Sequence, residues 1–220
     1  MGIYFLEKKT IVNLAPADVK KEGAAFDLPI ALAVLQASEQ IFSDCLDSYM
    51  ILGELSLDGE LRPIKGILSI AMEARKQGLK GFILPKENAE EAAIVNNLDV
   101  IPVTSLMEAV EFLNGEKKIT PLVRDTRDIF YDSCTNFDVD FSDVQGQESA
   151  KRALEVAAAG GHNVLMVGPP GSGKTMLAKR LATILPPLSL QEALETTKIH
   201  SVAGKLDGSQ GLISTRPYCS

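Results

Sequence analysis

Gly168-Pro169-Pro170-Gly171-Ser172-Gly173-Lys174-Thr175 fits the pattern G-x-x-x-x-G-K-[ST], and its flanks decide how the second half of the chain is read. The apolar run Asn163-Val164-Leu165-Met166-Val167 leads into it and predicts a buried strand over 163–167. A helical pattern follows over 174–184 and stops at Pro186-Pro187. Strand, glycine-rich turn and helix in that order make an anion cradle. Glycines let several backbone N–H groups turn inward, and the helix adds the positive end of its dipole. Lys174 is placed to reach β- and γ-phosphates, and the Thr175 hydroxyl to ligate Mg²⁺. The candidate ligands of a nucleoside triphosphate are therefore Gly168, Pro169, Pro170, Gly171, Ser172, Gly173, Lys174 and Thr175, with Thr175 meeting the Mg²⁺ bound to it.

Outward from the loop, a helix is predicted over 148–159 and another over 190–198, with loop or weak hairpin signals from 202 to 220. Before the first of these helices stands Phe141-Ser142-Asp143-Val144-Gln145-Gly146-Gln147. So placed, the segment resembles the adenine-side segment of AAA+ ATPases, in which the backbone near Val144 and Gly146 contacts the base. Hydrolysis of a bound triphosphate also needs an acid at the end of a second strand. After Lys174 the only acids are Glu192, Glu195 and Asp207, and none follows an apolar run. No sensor residue or arginine finger is assignable, and nothing fixes a role for Arg216. The chain is therefore expected to be a part of a longer motor, cut before its hydrolytic acid and inactive as an ATPase alone.

The first half alternates strand and helix signals. Strands are predicted over 10–14, 49–52, 81–84 and 100–103, and helices over 28–39, 67–77, 89–95 and 106–113. Asp27 is placed to cap the first helix and Gly78 to close the second. Asp58-Gly59 marks a hairpin over 55–61. The pattern predicts an α/β domain over 1–115. Residues 116–140 are polar, lack periodicity, contain Pro121 and read as a linker. The P-loop domain then occupies 141–220.

Composition narrows the function classes. A formal net charge of −7 argues against indiscriminate binding to nucleic acid or anionic membrane through bulk charge, while leaving room for a local basic patch. Cys45, Cys134 and Cys219 are odd in number, and only His162 and His200 accompany them, which disfavours a disulfide framework or a zinc site. The apolar stretch 28–37 is too short to span a bilayer, and no signal peptide is visible. A cytoplasmic location without membrane contact is expected.

Several runs carry a resemblance across nearly the whole chain. They are Asn13-Leu14-Ala15-Pro16-Ala17-Asp18, Lys21-Glu22-Gly23, Asp27-Leu28-Pro29-Ile30-Ala31, Gly53-Glu54-Leu55-Ser56-Leu57-Asp58-Gly59, Gly146-Gln147-Glu148, Ala157-Ala158-Ala159-Gly160-Gly161-His162-Asn163 and His200-Ser201-Val202-Ala203-Gly204. In this order they resemble the YifB/ComM family of magnesium-chelatase-like AAA+ ATPases. The resemblance implies a Lon-protease-like α/β domain, incomplete at its N-terminus, followed by the start of a P-loop AAA+ module. It further implies a hexameric ring that uses ATP and Mg²⁺ and, in the ComM branch, a DNA helicase driving branch migration during natural transformation. A metal-chelatase motor is the alternative, and a nucleotide-binding fragment without turnover is a further one. A Lon-type peptidase is disfavoured. Where such proteases carry the Ser–Lys dyad this sequence aligns Ala25 and Leu68, so neither nucleophile nor base is present.

Overall fold

The computed structural model describes residues 11–12, 24–43, 45–127, 130, 139–206, 212–214 and 216. The strand expected over 10–14 lies outside them, Ile11 and Val12 excepted. The molecule is mixed α/β and divides into two compact units, Met1–Thr126 with Thr197–Gly211, and Arg127–Thr196 with Leu212–Ser220.

In the first unit, β1 (Tyr49–Ile51), β4 (Gly81–Pro85) and β5 (Asp99–Val103) form a parallel sheet in the order β1-β4-β5. The central strand reads Gly-Phe-Ile-Leu-Pro and is buried at every position, as a parallel strand covered on both faces must be. Gly81 is obligatory at its start, because a side chain there would run into the Asp99 carbonyl oxygen and the Tyr49 ring. Helix α1 (Asp27–Ala37) presents Leu28, Leu32 and Leu35 at helical spacing, and α4 (Leu106–Leu113) presents Ala109, Val110 and Leu113. These pack with Ile83, Ile101 and Val103 into one core. The alternate strand residues Phe82, Leu84 and Val100 are equally buried, and α2 (Ile67–Lys76) buries Ile67, Leu68, Ala71 and Ala74.

Helix ends follow the sequence closely at α2 and α4. Gly78 adopts a left-handed φ of 74°, and the bonds Gly78 N to Arg75 O and Leu79 N to Ala74 O close α2 in a Schellman motif. Ser105 caps α4 by accepting from Glu108 N at 3.2 Å. Asp27 departs from expectation. The helix begins on it rather than after it, and its carboxylate accepts from Leu55 N at 3.3 Å, on the strand β2 (Glu54–Leu55). The cause is packing: with Leu28 fully buried, Asp27 is turned toward the hairpin that β2 makes with β3 (Leu61–Arg62). The expected helix over 89–95 is shorter, α3 (Ala89–Ala92), followed by turns.

Part of the stretch read as a linker is stitched to this unit. Leu122 N donates to Val100 O at 2.8 Å, and Thr126 Oγ1 donates to Ile94 O. Arg124 grips Glu90 through both oxygens at 2.8 and 3.0 Å. Polarity and missing periodicity hid this strap, because its bonds run to distant carbonyls and carboxylates rather than along a helix or ladder.

The second unit contains α5 (Glu148–Gly160), α6 (Lys174–Leu181) and the start of α7 (Leu190–Val202). Its core is small: Phe141, Val144, Leu154 and Leu177, with Met166, Leu181 and Ile184 against them. The strand expected over 163–167 is not formed. Only Met166 packs inward, while Leu165 and Val167 are 87% and 88% exposed. A strand exists by its ladder, and no described residue of this unit forms a strand to pair with it. The run Asn163-Val164-Leu165-Met166-Val167 supplies apolar side chains but no hydrogen-bonding neighbour.

The Arg124 guanidinium holds the Glu90 carboxyl below the usual range. A depressed folded value stabilises above the ordinary glutamate range and ceases to do so as pH falls through the lowered value. Arg124→Met is expected to lower the unfolding free energy at pH 7 by under about 1 kcal/mol, since the pair is half-exposed. The gap to the parent protein should close in acid, measured by urea titrations across pH.

Candidate functional site

The turn before α6 is set by two glycines. Gly171 has φ 79° and Gly173, at the helix N-cap, has φ 83°, both in the left-handed region that costs other residues about 1–2 kcal/mol. The first ladder bond entering α6 runs from Leu177 N to Gly173 O at 2.9 Å. Among the described residues no acceptor takes the amides of Gly173, Lys174 or Thr175. A helix start with free N–H groups is a site of positive potential.

Lys174 folds back over the loop. Its ammonium donates to Gly168 O and Pro169 O, both at 2.8 Å, and to Ser172 Oγ at 3.2 Å. Ser172 N donates to Pro169 O at 3.3 Å and tightens the same turn. A Cβ on Gly168 would stand 3.1 Å from Ser172 Oγ, a tight approach that the serine hydroxyl would have to yield to. The loop residues thus gather around one ammonium, with Pro169, Pro170 and Thr175 exposed beside it. Such a cluster of amides and one cation can hold an anion; it offers neither nucleophile nor general base.

The upstream segment stands against this loop. Val144 is buried between Leu154 and Leu177, whereas Gly146 and Gln147 follow with left-handed φ of 67° and 55°. The Gln147 amide nitrogen lies 3.3 Å from where a Cβ on Gly173 would be. Asp140 opens the segment with a capping box, accepting from Ser142 N at 2.7 Å, and that contact with Ser142 holds the Asp140 carboxyl below its usual range.

Sequence reasoning did not anticipate Gln147 over Gly173, the lysine on its own loop, or the contacts from Arg180 and Thr183 back to the segment. None is a periodicity or spacing signal. His162 belongs to the end of α5: its N–H bonds to Ala157 O at 2.9 Å, and its ring covers Gly160, where a side chain would collide with it. Beside it a cavity of about 550 Å³ is lined by residues including His162, Leu181, Pro186 and Arg216. Arg216 donates to Pro186 O at 3.2 Å.

In the first unit, Ala25 lies in a single helical turn, Ala24–Phe26, and its carbonyl accepts from Gly53 N at 2.9 Å. Leu68 is fully buried and gives its backbone N–H to Glu91 at 2.8 Å. Both positions serve packing and main-chain bonding. Among the described residues no helix is long and apolar enough to cross a membrane.

Comparison with known proteins bears on both units. Residues 140–220 match the family model of magnesium chelatase, subunit ChlI, and residues 1–88 match that of subunit ChlI of Mg-chelatase. The YifB protein of Salmonella typhimurium is 44% identical over the whole chain, which covers 42% of it. The competence protein ComM of Haemophilus influenzae is 43% identical over 89% of the chain and 38% of its own length. The chain belongs to the YifB/ComM family. It spans about two fifths of the length of these curated relatives. A more distant match is the archaeal Lon protease of Archaeoglobus fulgidus, 34% identical over 44% of the chain and 16% of that protein.

In this YifB/ComM-type chain the left-handed N-cap is testable without a ligand. Gly173→Ala adds a Cβ at positive φ and within 3.3 Å of Gln147, and should destabilise the first turn of α6 by about 1 kcal/mol. Hydrogen exchange at Leu177 N should quicken about fivefold, with exchange in β4 unchanged.

Proposed function

We propose that the chain is the nucleotide-binding part of an AAA+ motor of the magnesium-chelatase type, which in its full-length form acts on DNA as a branch-migrating helicase. The observation that carries the reading is the loop itself: two left-handed glycines, free amides at the start of α6, and an ammonium held among them. These residues fit a polyphosphate. A Cβ at Gly171 or Gly173 would be strained by its φ, and the Lys174 donors now on carbonyl oxygens can be transferred to phosphate oxygens.

Bound Mg-ATP supplies the phosphoanhydride whose cleavage drives movement. Within the chain, Gly168 to Gly173 wrap the phosphate tail, Lys174 neutralises it, and the Thr175 hydroxyl is offered to the metal. The main chain near Val144 and Gly146 borders the base. Residues 141–220 form the start of the AAA+ module, 116–140 join it to the preceding domain, and 1–115 form a Lon-protease-like domain. The partial match to an archaeal Lon protease supports that last likeness. Alanine at 25 and leucine at 68 disfavour a Lon-type peptidase role for the domain. A hexameric ring in the cytoplasm is the setting in which such modules exchange nucleotide.

Support for the DNA role comes from the relative described as a competence protein. The ChlI descriptions of both family models favour a second reading, a motor that drives metal insertion. ATPase activity of the full-length protein should rise with branched DNA under the first reading, and only with a porphyrin-binding partner under the second.

Lys174→Ala should weaken Mg-ATP binding about 30-fold or more, because a charge-assisted contact to phosphate is lost. An unchanged affinity by calorimetric titration would overturn the assignment. The chain itself should turn over ATP negligibly, since no acid follows an apolar run after Lys174; steady-state phosphate release measures this.

A further inference from the structure

The segment 141–147 is fastened to α6 near its first end by residues outside the glycine loop, and its second end approaches that loop. At the first end, Phe141 N donates to Thr183 Oγ1 at 3.2 Å, and the same hydroxyl donates to Arg180 O at 2.8 Å. Thr183 therefore uses its acceptor and its donor at once, tying the segment to the last turn of α6. Arg180 adds a bond from Nε to Asp143 Oδ2 at 3.4 Å, and its side chain is only 19% exposed. Between the ends, Phe141 and Val144 are buried against Leu177. At the second end, the Gln147 amide nitrogen approaches Gly173, and Gln147 is held at φ 55°, an uncommon conformation for a residue with a side chain.

We infer that Thr183, Arg180 and Asp143 are positioning residues that set the base side of the nucleotide site, making the segment and the phosphate loop one rigid piece built on α6. The inference rests on the reading of the loop as a triphosphate site with Val144 and Gly146 beside the base. Its physical content is preorganisation. A segment already bonded to α6 loses little freedom when a base settles against its main chain, whereas a loosened segment must be ordered by the ligand. The phosphate tail, held by the loop and by Lys174, does not depend on the fastening. The two halves of the ligand should thus respond differently to its removal.

The test compares Mg-ATP with inorganic Mg-tripolyphosphate, which has the tail without the base, by calorimetric titration of the 220-residue chain. Thr183→Val keeps the shape and removes both bonds of the hydroxyl. It should raise the Kd for Mg-ATP about tenfold and leave that for Mg-tripolyphosphate within about twofold. Asp143→Asn is half-exposed, leaves the core untouched, and should shift the same ratio about threefold in the same direction. It stands in should Thr183→Val fail to fold, which loss of tripolyphosphate binding would reveal. An unchanged ratio in Asp143→Asn and in folded Thr183→Val, or equal weakening of both ligands, overturns the inference while leaving the loop assignment intact. A parent chain that binds neither ligand overturns both.

Discussion

A backbone N–H with no partner inside its own helix must find one elsewhere, and this constraint organises the molecule. At some element starts a side chain answers it. Ser105 accepts from Glu108 N on α4, and Ser189 accepts from Glu192 N on α7. On α2 a carboxylate from another element does so, Glu91 taking Leu68 N. Asn88, almost fully buried, pairs with both the N–H and the carbonyl of Ile64 at 2.9 Å, imitating a strand neighbour. The start of α6 is different. Its N-cap is a left-handed glycine with no side chain to accept, and among the described residues no acceptor takes the amides of Gly173, Lys174 or Thr175. The same rule that closes α2 and α4 leaves this helix start able to take an anion.

Charge follows the same division. The chain as a whole carries −7, yet the loop residues from Gly168 to Thr175 include one cation and no carboxylate. Lys174 without an anion is not left in water. It takes two carbonyls and a hydroxyl of its own loop, which keeps the turn folded around the place where a negative group would sit. Exchanging neutral acceptors for phosphate oxygens strengthens each contact, because the ammonium then faces a full negative charge instead of a carbonyl or hydroxyl dipole. The loop is in this sense preshaped by its own lysine.

How much was legible in the sequence depends on how local the cause was. Leu28, Leu32 and Leu35 announced α1, Asp58-Gly59 announced the β2–β3 turn, and Gly78 announced the end of α2, because each acts through neighbours a few residues away. The loop was legible for the same reason: its glycines, lysine and threonine are contiguous. What escaped was non-local. Asp27 reads as a cap until the hairpin is folded beside it and Leu55 N claims its carboxylate. Residues 122–126 read as a linker until Val100, Ile94 and Glu90 are assembled opposite them. The run 163–167 reads as a strand from its side chains alone, but pairing is a property of two segments.

Positions 25 and 68 are held by main-chain bonds and packing. Leu68 is completely buried on α2, and the bond it makes to Glu91 comes from the main chain, indifferent to its side chain. A lysine there would place an ammonium in an apolar core, which is tolerable only where a partner or a catalytic use compensates desolvation of the charge. With alanine at 25 no serine is present to use such a base, and leucine instead adds apolar burial of about 1.5–3 kcal/mol. The carbonyl of Ala25 accepts from Gly53 N, which ties this turn to the main chain before β2. The architecture of this unit is therefore held by backbone bonds and core packing that never depended on a dyad.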